Sequence, residues 1–294
     1  MRRAALTALA VCAGLIGLAG PSLADSQILR DQSAHSEALG GPLDYSLYLP
    51  PSYKGGELRF PTIYLLHGYG GGASDWLDAG GLAATADRLI AQGRIPETIV
   101  VMPALGNNWY VDNPDPGGVA AESALATDLR EHIDQRYRTL PRRESRAIAG
   151  LSMGGYGAIR LALHRPDLYV AAASLSGAIL TDLAPGEQVT GLQLELFGPV
   201  FGKPFDPARF NAANVFAPLS RFDDPAEVPP IYLASGDDDY FGLHHGAMAL
   251  FAAMEARGNR VELRITDGGR TWELWAKSLP DALIFLGAQL APAE

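Results

Sequence analysis

Arg146-Ala147-Ile148-Ala149-Gly150-Leu151-Ser152-Met153-Gly154-Gly155-Tyr156-Gly157 decides how the rest of this chain is read. Its first four residues form a short β-like run, and residues 156–163 continue as a helix-like one. Between them, Gly-Leu-Ser-Met-Gly places a G-x-S-x-G pattern in the strand–turn–helix context of a nucleophile elbow. A turn of this kind lifts the serine Oγ above the end of a sheet, and glycines tolerate the close backbone approach on either side. The helix that follows points free N–H groups at any oxyanion formed there. The pentapeptide alone is a weak signal in a chain with 33 glycines among 294 residues. The flanking strand and helix give it its weight.

On both sides of this stretch, from about Gln27, β-like and helical runs alternate. Residues 43–49 alternate with period two until Pro50-Pro51 stops them. Residues 62–66 are a fully apolar strand that empties into His67-Gly68-Tyr69-Gly70-Gly71-Gly72. Leu82, Ala86, Leu89 and Ile90 share a helical face that ends near Gly93, and a buried strand over 98–102 is closed by Pro103. Leu125, Leu129, Ile133 and Tyr137 mark the next helix, and a strand over 169–175 follows the elbow helix. Residues 180–222, rich in Gly, Pro, Phe and Asn, break the rhythm and read as a lid-like insertion over the sheet end, where loops usually carry substrate contacts. Strands are then expected over 231–234 and 261–265, with helices over 247–257 and 272–290, the last interrupted at Pro280. The pattern predicts an α/β fold: a doubly wound, mostly parallel sheet with helices on both faces. No internal repeat or interdomain linker breaks it.

The amino-terminal two dozen residues read separately. Arg2-Arg3, an apolar run over 4–19 and Ser22-Leu23-Ala24 have the make-up of a secretory signal, with cleavage expected after Ala24 and one domain over 25–294. Cys12, the sole cysteine, is a poor lipid-attachment site because Val11 stands where a small residue is needed. Cleavage would leave no thiol chemistry. It would also remove two of the 23 basic residues, leaving 21 against 33 acidic ones. That balance argues against nucleic acid and anionic lipid as partners, and no later run is long enough for stable membrane insertion.

The elbow, His67-Gly68-Tyr69, Ser36-Glu37-Ala38-Leu39-Gly40 and Trp109-Tyr110-Val111-Asp112 together resemble the putative-esterase branch of the α/β-hydrolases. That branch includes esterase D, S-formylglutathione hydrolases, feruloyl and acetylxylan esterases and mycolyltransferases. The resemblance runs from about Ser36 to Leu290. It implies Ser152 as the nucleophile and the backbone N–H groups of Met153 and Tyr69 as the oxyanion hole. It also implies a catalytic carboxylate just before a short aromatic stretch, which selects Asp239 from Asp237-Asp238-Asp239-Tyr240-Phe241. Asp237 and Asp238 read as solvated, and neither a metal nor a cofactor is implied.

The third position departs from the family. Relatives carry Gly-Gly-His-x-Trp after the last strand, whereas this chain reads Gly268-Gly269-Arg270-Thr271-Trp272. An arginine stays protonated to about pH 12 and accepts no hydrogen bond, so it cannot replace a histidine base. Pairing of Arg270 with Asp239 is expected instead. His244 and His245, five and six residues beyond Asp239, are the candidate substitutes for the base, against an ordinary loop or helix-start role. His35, preceding the first strands, His132 and His164 read as surface or structural residues. Trp76, Trp109 and Tyr110 are candidates to line an acyl or aryl pocket, with core packing as the competing role.

These features imply a secreted serine carboxyl-ester hydrolase acting on small-molecule or saccharide-linked esters. Two alternatives accompany it: a binding relative that kept the pocket and lost the base, and an acyltransferase of the mycolyl type.

Overall fold

In the computed structural model, residues 26–187 and 189–294 are described. The expected signal at 1–24, with Cys12, lies outside them. Eight strands form one sheet in the order β1-β2-β4-β3-β5-β6-β7-β8. They are β1 (Gln27–Ser36), β2 (Gly41–Leu49), β3 (Thr62–Leu66), β4 (Ile99–Ala104), β5 (Arg146–Leu151), β6 (Ala171–Leu175), β7 (Ile231–Gly236) and β8 (Val261–Thr266). β1 and β2 enter antiparallel, and β3 to β8 all run parallel.

The reason lies in the strand sequences. β3 and β5 are buried along their whole length, so each needs cover on both faces. Within β3, Tyr64 and Leu66 join one apolar layer while Ile63 and Leu65 join the other. The first layer is completed by a helical stretch formed of α3 (Ala121–Ser123), the wider turn Ala124–Leu129 and α4 (Arg130–Arg136), and by α5 (Met153–His164) and α8 (Leu243–Glu255). The second is completed by α1 (Asp75–Asp78), α2 (Leu82–Ala91) and α9 (Trp272–Gly287). Each fully buried Leu, Ile or Phe side chain contributes about 1.5–3 kcal/mol to holding these layers together. The insertion forms α6 (Gly191–Phe201) and α7 (Pro207–Ala212), over the end of the sheet where the elbow lies.

Several expectations are corrected. β1 is a full strand, so His35 lies inside the sheet's first hairpin rather than before it. Pro103 does not close β4: it pairs with Tyr45 of β2 beyond the stretch where β3 pairs with β4, so its missing N–H removes no bond on that side. Pro280 does not interrupt α9, and α8 starts four residues earlier than its apolar spacing suggested. The helix marked by Leu125 and Leu129 carries a π-helical stretch over Ala124–Leu129 between α3 and α4, which periodicity of four does not reveal.

Candidate active site

Ser152 stands between β5 and α5 with φ 55° and ψ −119°, a backbone state that side chains other than hydrogen rarely adopt. The surroundings leave it no alternative. A Cβ on Gly154 would lie 2.5 Å from the His67 carbonyl oxygen and 2.7 Å from that of Leu66, so the start of α5 sits directly on the end of β3. The Ser152 N–H donates to the Leu175 carbonyl at 3.0 Å, and the Ser152 carbonyl accepts from Ala178 and Tyr156, both at 3.0 Å. Neighbouring strands thus clamp the turn from both sides. As the first residue of α5, Met153 has an N–H with no intrahelical acceptor. Tyr69 follows Gly68, whose α-carbon is packed against Leu151 and Ser152, so the loop after β3 is pressed onto the elbow.

His67 holds that loop in place. It is buried, its Nδ1 donates to the Gly68 carbonyl at 2.7 Å, and its Nε2 accepts from the Leu105 N–H at 3.2 Å. Burial lowers its pKa below the usual histidine value, so the ring is held neutral.

Asp239 follows β7 and is buried, whereas Asp237 and Asp238 are exposed. Its Oδ1 accepts from the Phe241 N–H at 2.9 Å. Arg270, in the loop between β8 and α9, lies between the two sites. Its Nη2 donates to the Ser152 Oγ, and its Nη1 lies 3.5 Å from Asp239 Oδ2. The rings of Phe241 and Trp275 flank the guanidinium at 5.3 and 5.7 Å. The sequence anticipated the contact with Asp239. The direct bond to the serine hydroxyl was not anticipated.

Ser152 and Arg270 form the floor of a cavity of about 460 Å³. Its walls are mostly apolar, with Ala178, Leu180, Leu196, Phe197 and Leu243 among them. Trp109 lines it, held by its Nε1 donating to the Leu196 carbonyl at 2.9 Å and by Phe197 at 4.5 Å. The insertion is therefore tied to the sheet through Trp109. Trp76 and Tyr110 do not share this position. Trp76 is fully buried against Trp272 and donates to the Leu66 carbonyl. Tyr110 donates to the His67 carbonyl, and its ring occupies the space that Gly157 leaves open. Both are core residues. Trp109 and Tyr110 are consecutive residues with φ 54°, a reversal that separates their rings. Apolar patterning carried no signal of it.

The remaining histidines sit elsewhere. His244 and His245 occupy the first turn of α8 with rings 4.0 Å apart, and neither lines the cavity. Changing both to alanine is expected to alter residual hydrolysis of p-nitrophenyl acetate by less than about threefold. A loss of about 10³-fold in a folded variant would make one of them the base. His132 bonds the Tyr45 hydroxyl at 2.9 Å, and His164, pushed down to about 4 by burial and the Arg160 and Arg221 charges, ends α5. Asp267 joins Asp237 and Asp238 within 4.8 Å, but all three are exposed carboxylates without the enclosing ligands of a closed metal site.

Chemically, a hydroxyl so placed can attack a carbonyl carbon while the N–H groups at the start of α5 receive the developing oxyanion. The family described as "Putative esterase" matches residues 36–286. This chain belongs to that esterase family. It is 26% identical over 226 residues to an acetyl esterase of Caldicellulosiruptor saccharolyticus, covering 75% of this chain and 81% of that one. It is 35% identical over 150 residues to an endo-1,4-beta-xylanase/feruloyl esterase of Xylanibacter ruminicola, which is 48% of this chain but only 20% of that protein's length. A solved ferulic acid esterase superimposes with a TM-score of 0.76 at 26% identity, over 91% of this chain and 99% of its own. The esterase is thus a hydrolase-type protein of the α/β-hydrolase class, and no helix among the described residues is long and apolar enough to cross a membrane.

Proposed function

We propose that this esterase is an exported carboxyl-ester hydrolase that forms its acyl-enzyme on Ser152. In this reading Asp239 is the triad acid, Met153 and Tyr69 supply the oxyanion-hole N–H groups, and Arg270 stands where the general base belongs. The observation that carries it is the strained Ser152 backbone at the floor of an apolar cavity, at the start of a twelve-residue helix. In the first step the Ser152 Oγ bonds to the ester carbonyl carbon, the alcohol leaves, and water later cleaves the acyl bond. The hydroxyl proton must go to a base and then to the leaving alcohol. A guanidinium accepts no proton, so here that proton passes to solvent and turnover is slow. The Arg270 N–H bonded to the Ser152 Oγ draws on one of its two lone pairs and makes the oxygen a poorer nucleophile, which adds to the barrier. The same contact supports the second reading, a binding relative with a silent serine.

A fluorophosphonate probe separates the two. Slow labelling at Ser152 is expected in the native chain, labelling about 10²-fold faster or more in Arg270→His, and none in Ser152→Ala. Absence of labelling in both the native chain and a folded Arg270→His variant would leave only the binding role. Export has its own test. Intact-mass measurement of the secreted protein is expected to give an amino terminus at Asp25 and no cysteine. A mass retaining residues 1–24, or a lipid adduct on Cys12, would overturn it.

A further inference from the structure

We infer that Arg270 and the cavity above it form a binding site for an apolar monocarboxylate, with the carboxylate on Arg270 and the tail along the insertion. The inference rests on the reading of this cavity as the acyl pocket and adds a ligand class to it. A neutral histidine at position 270 would leave the buried Asp239 carboxylate unbalanced beneath the cavity, whereas the guanidinium offsets it and turns a cationic edge to the cavity. This charge sits in a protein with a net charge of −10, at the floor of a mainly apolar cavity.

The donors converge. The Arg270 side chain is 12% exposed, and its Nη1 is turned away from the cavity toward Asp239 Oδ2 at 3.5 Å. The edge that carries Nη2, beside the Ser152 hydroxyl, is the part of the guanidinium left to meet an acceptor in the cavity. Arg270 Nη2 and the Ser152 hydroxyl meet at one point, and the α5 amino terminus, with the Met153 N–H, adds a favourable field for an anion. Asp239 lies behind, fully buried, and fixes the guanidinium rather than closing the cavity.

The tail is specified by the other end. Tyr69, Leu192, Tyr240 and Phe241 are large hydrophobic residues that are more than 40% exposed, and all four line the same cavity. A polar or dianionic ligand would leave this apolar rim unmatched. An alkyl tail reaching from Arg270 to the rim removes it from water, at about 25 cal/mol per Å² buried.

The test uses the native chain and decanoate, read by thermal shift and by the change in tryptophan emission, to which Trp109 and Trp275 both lie close enough to contribute. Decanoate is expected to saturate, with 1-decanol, methyl decanoate and acetate each weaker by about tenfold or more. Arg270→Gln should weaken decanoate by about 10- to 100-fold, the loss of a charge-assisted hydrogen bond. If that variant does not fold, Arg270→Lys, which keeps the charge, should retain more affinity than Arg270→His at pH 8. Binding by the native chain should be flat from about pH 6 to 9, whereas Arg270→His should bind only below about pH 6.5.

Equal binding of decanoate and 1-decanol would overturn the proposal, leaving an apolar pocket with no role for the charge. So would equal binding of acetate. The outcomes also separate this site from the esterase reading. No decanoate binding, with esterase activity gained in Arg270→His, removes the carboxylate site alone. Decanoate binding with no labelling of Ser152 in either chain establishes the site and removes the acyl-enzyme.

Discussion

Arg270→His is expected to raise kcat/KM on a short-chain aryl ester by about 10³-fold or more. The other parts are already in place in chain order: Ser152 at the elbow, Asp239 after β7, and position 270 after β8. Arg270 already touches both Ser152 and Asp239, so this position faces the gap between them. A neutral imidazole there would accept the Ser152 proton, while Asp239 fixes its tautomer and stabilises the imidazolium. The gained activity should fall as the imidazole becomes protonated, with an apparent pKa near ~6.5. It should vanish in the Ser152→Ala background and drop steeply with Asp239→Asn. Initial rates of ester cleavage across pH check all three. A folded Arg270→His variant that gains less than about tenfold would remove position 270 from the triad.

The second large effect is on stability. Gly154→Ala should destabilise the fold by about 3 kcal/mol or more, because its Cβ would meet backbone oxygens of Leu66 and His67, not the end of a flexible side chain. To make room, α5 would have to lift from β3 at the centre of the sheet. A domain of this size should then lose roughly 6–12 °C in Tm. Gly191→Ala is the control. It is the first residue of α6, with no positive φ and no atom beyond its chain neighbours within 4 Å of the added Cβ, so it should be neutral or stabilising by up to ~1 kcal/mol. Thermal melts of the two variants decide this. A Gly154→Ala Tm within about 1 °C of the parent would mean that the elbow is looser than these distances imply.

What was legible in the sequence follows from which signals are local. β3, the elbow turn and the start of α2 were placed within a residue or two, since each is a continuous apolar run or a face punctuated by glycine. The selection of Asp239 over its two neighbours agrees with its burial, but it came from family resemblance, as three adjacent aspartates carry no local distinction. For Trp76 and Tyr110 the sequence left pocket lining and core packing open. An aromatic near the sheet end can turn inward or outward, and the choice depends on distant partners such as Trp272 and Gly157. Pro103 was read as a stop, but a proline's missing N–H costs a strand a bond only on the side where a neighbour would have used it. That is a property of pairing, which sequence does not display.

The insertion has a consequence for how such proteins diverge. It is joined to the scaffold through two adjacent parallel strands, β6 and β7, and its inner face meets the rest of the protein at an aromatic group around Trp109 and Phe197. A connection between these strands must cross the sheet whatever its length, and doubling a loop adds only about 0.6 kcal/mol of closure cost. Changes of length are therefore tolerated best in the insertion's exposed turn around residues 184–187, since Phe210, Ala213 and Leu219 share the core of α5 and Tyr156 donates to the Ala213 carbonyl at 2.7 Å. Descendants of one ancestral sheet can acquire different ligand preferences by exchanging the residues of this segment that line the cavity, such as Leu192 and Leu196, without moving the turn that carries Ser152.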